Sequence, residues 1–278
     1  MEDLILNYYA FDFDDNILYM DTKIRLQGDR SNIVEVSTQF YADNVTNIGI
    51  KELEYEGNTV VDYLRKKDGT IDNDRIFFNF TDKNKGVFIK DITNALDNED
   101  FAPSWGDFKE CIMNGALFAI ITARGHKSET IKEGILYINE RAFSPNEKQK
   151  MYESLNKFSI LFGYEGESDA YLLKKYINAC YFIGIMSGEL GNNVSTEEGK
   201  GIALNRFNTK VNMFAERIGH KAHIGFSDDS ATNYNSIVDL IANLDHENFP
   251  AIIKYTVKLT NKKEIDKTTF LSTLSYIL

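Results

Sequence analysis

The chain has 278 residues, of which 43% are hydrophobic and 13% aromatic, and these proportions predict a packed core rather than disorder. Its formal net charge of −11, with an isoelectric point near 4.9, disfavours long nucleic acid as a partner, because proteins hold it largely through Lys and Arg. The length fits one large domain, or one domain that carries a sizeable insertion.

Nothing in the sequence predicts export or membrane insertion. The amino terminus reaches an acidic cluster by residue 12 without the basic-then-apolar layout of a signal peptide. No run of about 18 apolar residues is available to span a bilayer. Cys111 and Cys180 both lie in apolar context, which predicts buried thiols rather than a zinc site. We therefore expect a soluble, cytoplasmic protein without a membrane partner.

Short apolar runs alternate with helical patterns along most of the chain. The runs predict buried strands at residues 4–11, 117–123, 181–187, 223–227 and 252–259. Apolar residues at helical spacing predict helices at residues 105–114, 128–139, 168–179, from 195 onward, and 230–244. Ser104 with Asp107, and Ser195 with Glu198, predict capping boxes at two of these helices. The alternation indicates an α/β domain with a mainly parallel central sheet flanked by helices.

The stretch between the first two predicted strands does not follow this alternation. Patterns of short strands with turn residues between them occur there, at residues 17–26, 33–40, 75–80 and 86–89. We interpret residues 19–111 as an inserted flap or cap, and residues 1–18 and 112–278 as the core. A second, helical insertion is predicted at about residues 140–165. Because no Gly/Ser-rich linker separates these parts, we expect the insertions to pack on the core.

An acidic segment, residues 12–16 (DFDDN), directly follows the first predicted strand. Sites in parallel α/β sheets form at the carboxyl ends of strands, where two carboxylates two residues apart can share a divalent cation. Their hard oxygen ligands suit Mg²⁺. An EF-hand calcium loop is excluded, because Ile17 and Lys23 stand where that loop needs Gly and Glu. A merely polar turn remains the alternative interpretation of this segment.

Polar residues recur at other predicted element ends. The second predicted strand ends in Thr122, before a glycine-bearing loop, and the fourth is followed by Asp228 and Asp229. Lys200 lies in the first turn of the fourth predicted helix, where a cation opposes the helix dipole, so an anionic partner is predicted for it. Asn233, four residues after Asp229, is a further polar candidate for the same site.

These positions, in this order, resemble the sequence motifs of the haloacid dehalogenase (HAD) superfamily of phosphohydrolases. The first motif, DxDx[TV] at the end of strand one, is matched by residues 12–16, and the second, a Thr or Ser at the end of strand two, by Thr122. The third, a Lys near a helix start, is matched by Lys200, and the fourth, an acidic pair at the end of strand four, by Asp228 and Asp229. The chain departs from the first motif at Asn16. The resemblance covers residues 1–16 and 112–260, and it implies a Rossmann-like core with an inserted cap.

The third motif is assigned to Lys200, although Lys210 and Lys221 lie nearby. Residues 198–201 (EGKG), followed by apolar residues, look like the family's usual helix start. The 28 positions between Lys200 and Asp228 also leave room for that helix and the next strand.

The resemblance implies hydrolysis of a phosphomonoester through a covalent intermediate. Asp12 would be the nucleophile that forms an aspartyl-phosphate. Asp14 would protonate the leaving alkoxide and then deprotonate the water that cleaves the intermediate. Lys200 would screen the phosphate charge and steady Asp12, and Thr122 would hold a phosphoryl oxygen.

The same resemblance implies a bound Mg²⁺ and a phosphoryl site. Mg²⁺ would be held by Asp12, the backbone carbonyl of Asp14 and Asp228, and Asp229 would support the metal shell. Four residues are predicted to bind the phosphorylated substrate: Thr122, Ala123, Arg124 and Lys200.

Several functions are compatible with these motifs. The net charge favours a nucleotide or another small phosphorylated metabolite as substrate, and a terminal phosphate on nucleic acid is a further option. A phosphotransferase or phosphomutase would use the same motifs. The alternative to an enzyme is a catalytically inactive protein in which the fold serves binding or structure. The sequence specifies no oligomeric state.

Overall fold

The computed structural model describes residues 5–191, 194–261 and 266–271, without the side chains of residues 161 and 162. The strands among these residues are, in chain order, β1 (Ile5–Phe11), β2 (Ile24–Gly28), β3 (Ile33–Val36), β4 (Leu53–Tyr55), β5 (Asn58–Asp62), β6 (Phe118–Thr122), β7 (Tyr181–Gly184), β8 (Lys221–Asp228), β9 (Ile252–Leu259) and β10 (Asp266–Leu271). The α-helices are α1 (Thr38–Asn44), α2 (Asn73–Ile76), α3 (Lys85–Asp97), α4 (Trp105–Met113), α5 (Ser128–Ala142), α6 (Pro145–Phe162), α7 (Asp169–Ala179), α8 (Thr196–Ile218) and α9 (Ala231–Ala242).

The main sheet has six strands in the order β10-β9-β8-β1-β6-β7. All neighbours are parallel except β10, which runs antiparallel to β9 at one edge. Helices α4, α5, α8 and α9 pack against these strands. The predicted α/β architecture, with a largely parallel sheet flanked by helices, is confirmed. The five predicted strands are present, but residues 185–187 form a 3₁₀ turn, and residue 4 lies outside the described range.

The central strands read as continuous apolar runs because both of their faces are covered. All five residues of β6 are buried, and so are the last two residues of β1. The register pairs Phe11 of β1 with Ile120 of β6 on one side and with Ser227 of β8 on the other. The residues that follow Phe11 therefore lie at the same edge of the sheet as Thr122 and Asp228.

A second, antiparallel sheet has the strand order β3-β2-β5-β4. It encloses its own small core, formed by Ile24, Leu26, Val34, Val36, Ile48, Leu53, Val60, Leu64 and Ile76. The later residues Phe88, Ile92 and Phe108 instead pack in the core of the main sheet. The predicted insertion at residues 19–111 thus contributes to both hydrophobic cores.

Two of the short strands predicted in this region are wrong. Residues 75–80 form the end of α2 and a 3₁₀ turn, and residues 86–89 lie inside α3. In α3, the buried residues Phe88, Ile92 and Ala95 follow a helical spacing. A four-residue window is too short to distinguish that spacing from strand alternation.

Two further predicted strands in this region are only partly correct. The strand predicted at residues 17–26 begins at Ile24 as β2. The one predicted at residues 33–40 ends at Val36, because Ser37 caps α1 by accepting a hydrogen bond from the Phe40 N–H group. The helical insertion predicted at about residues 140–165 corresponds to α6, which packs against α4 and α7.

The two predicted helix caps have different outcomes. Ser195 caps α8 by accepting a hydrogen bond from the Glu198 N–H group, which is one of the two bonds of the predicted capping box. Ser104 precedes α4, but its side chain makes no capping bond, so the capping box with Asp107 is wrong. Its hydroxyl group is used by a buried network described below.

No helix in the described part of the chain has both the length and the apolar character needed to cross a bilayer.

Candidate active site

Three aspartates meet at the carboxyl edge of the main sheet. Asp12 follows β1, Asp228 ends β8, and Asp229 comes next in the chain. One carboxylate oxygen from each lies within 4.8 Å of the others. Asp12 and Asp228 are almost fully buried, with 6% and 0% of their surface exposed. Adjacent parallel strands thus concentrate three carboxylates, which we call the acidic cluster, at one point.

Lys200 inserts its ammonium group into the acidic cluster. Its Nζ lies 2.9 Å from Asp12 Oδ2 and also donates to Asp228 Oδ2. Burial alone would lower the pKa of this ammonium, but the two carboxylates raise it above its ordinary value. Lys210 and Lys221 donate instead to backbone carbonyl groups, of Cys180 and Pro250 respectively. Of the three candidate lysines, Lys200 is the one that contacts the aspartates.

One ammonium does not balance three carboxylates in a buried setting. Burial raises the pKa of Asp12 well above its ordinary range, Lys200 opposes this, and Asp228 and Asp229 add to it. Burial and the neighbouring carboxylates of Asp228 and Asp15 raise the pKa of Asp229 to about 7. The cluster is therefore short of positive charge, and a further cation would stabilise its ionised form.

The oxygens of the cluster are fixed by local hydrogen bonds. Asp228 Oδ1 accepts from the Ser230 N–H group at 3.0 Å and from Asn233 Nδ2 at 3.1 Å. Asp12 Oδ1 accepts from the Phe13 N–H group at 2.8 Å. Asn233, a polar candidate from the sequence, thus contacts Asp228 directly. In both aspartates one oxygen is held by an amide group and the other by Lys200.

The Asp14 side chain bonds to Arg124. The guanidinium forms a fork on the carboxylate, with Nε 2.8 Å from Oδ2 and Nη2 2.6 Å from Oδ1. The Thr122 hydroxyl lies 3.4 Å from Asp14 Oδ2. The predicted acid–base residue and the predicted phosphoryl ligand therefore contact each other. The predicted substrate ligand Arg124 is 1% exposed and holds Asp14 in this conformation.

The loop after β6 is attached to residues of the predicted insertion. The Arg124 N–H group donates to Thr122 Oγ1 at 3.3 Å, and the Gly125 N–H group donates to the Phe80 carbonyl at 2.9 Å. Ala123, which was also predicted to bind substrate, lies between Thr122 and Arg124 in the chain and is half-buried. In this conformation, two of the loop's amide groups are thus satisfied within the protein rather than directed at a ligand.

Asn16, where the chain departs from the first motif, lies at the centre of a buried polar network behind the site. Its Nδ2 donates to the Asp12 carbonyl at 2.9 Å and to Ser227 Oγ at 3.0 Å. Its Oδ1 accepts from Ser104 Oγ at 2.9 Å and from Thr260 Oγ1 at 2.7 Å. Asn16 therefore connects the ends of β1, β8 and β9 with the start of α4. Sequence reasoning missed this network.

We expect Asn16→Ala to lower the free energy of unfolding by about 2–4 kcal/mol, because the buried hydroxyl groups of Ser104 and Thr260 lose their shared acceptor. Asn16→Thr, which restores the usual motif residue, can replace only part of the network and is expected to cost about 2 kcal/mol. Urea unfolding measures both. The control is Asn156→Ala on the exposed face of α6, expected within about 0.5 kcal/mol of wild type. A cost for Asn16→Ala no larger than that of the control contradicts this role.

Other polar and aromatic residues near the site are buried or stack on neighbouring rings. His126 is fully buried and stacks on Phe88 at 4.8 Å, and burial lowers its pKa to about 4. Trp105 stacks on Phe101 at 4.6 Å. Cys111 and Cys180 are buried free thiols, as predicted. We assign none of these residues to the site.

Comparisons with protein-family models, curated proteins and solved structures found no match to this chain.

Proposed function

We propose that this protein is a Mg²⁺-dependent phosphomonoester hydrolase of the HAD type, which works through an aspartyl-phosphate formed on Asp12. One observation carries the proposal. Asp12, Lys200 and Asp228, which are far apart in the sequence, form a buried ion cluster at the carboxyl edge of a parallel sheet. Buried charges are costly, and replacing such a cluster by apolar residues is often neutral or stabilising, so its presence favours a functional role.

The positions of the motifs along the main sheet support the resemblance. Counted within that sheet in chain order, β1, β6 and β8 are its first, second and fourth strands. These are the strands whose ends carry the acidic segment, Thr122 and the Asp228–Asp229 pair. In space, β8, β1 and β6 are also neighbours in this sheet, so the three motif positions lie at one edge.

The acidic cluster fits Mg²⁺ in charge and in ligand chemistry. Its carboxylates offer hard oxygens within 4.8 Å of one another, and one ammonium leaves them short of positive charge. We propose that Asp12, Asp228 and the backbone carbonyl of Asp14 hold the ion, with Asp229 supporting it. When bound, Mg²⁺ would offset the repulsion between the Asp12 carboxylate and a phosphate dianion.

Four side chains carry out nucleophilic attack, orientation of the nucleophile, proton transfer and binding of the phosphoryl group. Asp12 attacks phosphorus through a carboxylate oxygen, which accepts one hydrogen bond and still has a lone pair available for the attack. Lys200 holds Asp12 Oδ2 at 2.9 Å and thereby keeps the carboxylate oriented. Asp14, next to Thr122, protonates the leaving oxygen and later deprotonates the hydrolytic water. Thr122 donates its hydroxyl to a phosphoryl oxygen.

We propose that the sheet formed by β2–β5 is the cap of this enzyme. Residues that follow it approach the site, where the Phe80 carbonyl accepts from the Gly125 N–H group and Asp82 Oδ1 accepts from the Lys127 N–H group at 3.2 Å. A cap attached at this loop would control which phosphate esters reach Thr122. The strong negative charge of the chain favours a small phosphorylated substrate over a nucleic-acid end.

The test is phosphate release from a panel of an aryl phosphate, nucleotides, sugar phosphates and oligonucleotides phosphorylated at either end. Each ester is assayed with Mg²⁺ and with EDTA, and Asp12→Asn protein purified in parallel measures contaminating phosphatase. Release that needs both Mg²⁺ and Asp12 supports the proposal. Transfer to an added alcohol instead of water indicates a phosphotransferase. Absence of both release and Mg²⁺ binding overturns the enzyme assignment in favour of a binding protein.

Mg²⁺ is expected to raise the melting temperature more at about pH 8 than at about pH 5.5, because protons compete with the cation for the cluster. The raised pKa values of Asp12 and Asp229, the latter about 7, mean that ionising these groups costs stability as pH rises through them. Bound Mg²⁺ cancels that cost. Comparing melts with and without Mg²⁺ at each pH removes the contribution of the histidines, whose lowered pKa values act in the opposite direction.

Asp229→Asn removes a carboxyl group that binds a proton in competition with Mg²⁺. The Mg²⁺-induced shift in melting temperature is therefore expected to depend less on pH in this variant. Mg²⁺ shifts of equal size at both pH values in the wild type contradict a cation site in the acidic cluster.

A further inference from the structure

Arg124 is held along its edge by two different groups. Its Nη2 atom lies 2.6 Å from Asp14 Oδ1 and 2.7 Å from Thr22 Oγ1. The side chain is 1% exposed, so water does not compete appreciably for these bonds. Thr22 precedes β2 and belongs to the region predicted as an insertion. The Asp14 carboxylate is thus connected through one guanidinium to a residue outside the acidic cluster.

Thr22 is fixed in turn by Asp91 of α3. The Thr22 hydroxyl donates to Asp91 Oδ2 at 2.6 Å, which leaves its oxygen lone pairs for the Arg124 N–H group. Thr22 is 2% exposed and Asp91 is 7% exposed. Burial raises the pKa of the Asp91 carboxyl, while the bond from Thr22 opposes that shift. The four side chains form one continuous hydrogen-bonded series, in which Asp14 is partly exposed and Arg124, Thr22 and Asp91 are buried.

Two aromatic rings pack against the guanidinium. The Arg124 Cζ atom lies 4.9 Å from the ring centre of Phe80 and 4.9 Å from that of Phe88. Phe88 belongs to α3, the same helix as Asp91. Arg124 is therefore hydrogen-bonded to Thr22 and lies close to two aromatic rings, and all of these contacts come from residues 22–91.

We propose that Arg124 is a positioning residue for Asp14, and that Thr22 and Asp91 in turn hold Arg124 in place. The proposal rests on the proposed function, in which Asp14 protonates the leaving oxygen. Proton donation accelerates loss of a strongly basic alkoxide much more than loss of a weakly basic phenolate. Misorientation of Asp14 should therefore lower kcat much more for alkyl phosphates than for aryl phosphates.

The test compares Thr22→Val, Thr22→Ser and Arg124→Lys on an alkyl phosphate and on a nitrophenyl phosphate. Thr22→Val keeps the shape but removes the hydroxyl, and is expected to lower kcat on the alkyl ester about tenfold and on the aryl ester less than about threefold. Thr22→Ser keeps the hydroxyl and should restore most of the loss. Arg124→Lys keeps the charge without the fork, and should lower alkyl turnover about 100-fold.

Thr93→Val is the matched control, because Thr93 is on the same helix as Asp91 but bonds to Ile89 and Tyr137. It should affect neither ester. Equal losses on both esters for Thr22→Val, or no loss on either, overturn the positioning role while leaving the proposed function in place.

A second measurement does not depend on activity. Unfolding of wild type, Thr22→Val, Asp14→Asn and the double variant forms a thermodynamic cycle. If Arg124 couples the two residues, Thr22→Val should cost less than half as much in the Asp14→Asn background as in the wild type. Additive costs overturn the inference even if no substrate is found. Failure of the wild type to release phosphate from any ester, with coupling intact, counts against the proposed function only.

Discussion

Asp12→Asn is expected to abolish phosphate release without unfolding the protein. An amide cannot form the aspartyl-phosphate, and removal of an enzyme's nucleophile costs several orders of magnitude, here at least about 10⁴-fold in kcat. The raised pKa of Asp12 indicates that the folded protein resists a full negative charge at this position in the absence of a cation. A neutral side chain of the same shape is therefore tolerated.

The stability of Asp12→Asn separates a functional aspartate from a structural one. Asparagine loses the ion pair with Lys200 but also removes repulsion with Asp228 and Asp229. We expect the free energy of unfolding, measured without Mg²⁺, to change by less than about 1.5 kcal/mol. Asp107→Asn, which breaks the half-exposed pair with Lys258, is the control and should leave phosphate release unchanged. Retention of more than about 1% of wild-type turnover by Asp12→Asn would place the nucleophile elsewhere.

The parallel core could be predicted because its strands carry a local signal. β6 is buried throughout, and β1 and β8 are buried toward their carboxyl ends, where each of the three strands ends in or is followed by a polar residue. Parallel pairing alone then brings Asp12, Thr122 and Asp228 to one edge. The insertion gave a weaker signal, since α3 turns only one face toward the core and a short window over residues 86–89 resembles a strand.

The contacts between side chains could not be read from the sequence in the same way. The hydroxyl partners of Asn16, in Ser104, Ser227 and Thr260, lie 88, 211 and 244 positions away in the chain, and no local pattern connects them. Arg124 was predicted to bind substrate from its place in the loop after Thr122. Its contact with Asp14 depends on Thr22 and on α3, whose positions are set by the tertiary fold. Residue type and order thus predicted which side chains meet at the sheet edge, but not how each one is held.

Lys200→Met is expected to be the most destabilising single change at the site. It leaves the buried carboxylates of Asp12 and Asp228 without their shared cation, and breaking a buried ion pair by removing one partner costs about 3–5 kcal/mol. Thermal and urea unfolding in the absence of Mg²⁺ measure this cost. Lys210→Met on the same helix is the control, because Lys210 is half-buried and donates to the Cys180 carbonyl rather than to a carboxylate, and it should cost less than about 1.5 kcal/mol.

The cost of Lys200→Met should depend on pH in a defined direction. Lys200 stays protonated in the folded and unfolded states across neutral pH, so its own titration does not contribute there. Lys200 lowers the pKa values of Asp12 and Asp229, so in the variant these two pKa values rise further, and protons replace the missing ammonium in acid solution. The destabilisation should therefore be larger at about pH 8 than at about pH 5.5, and adding Asp228→Asn should recover at least about half of it at the higher pH. If Lys200→Met costs no more than Lys210→Met, or if Asp228→Asn makes the variant worse at about pH 8, the lysine does not act as the counter-ion of this cluster.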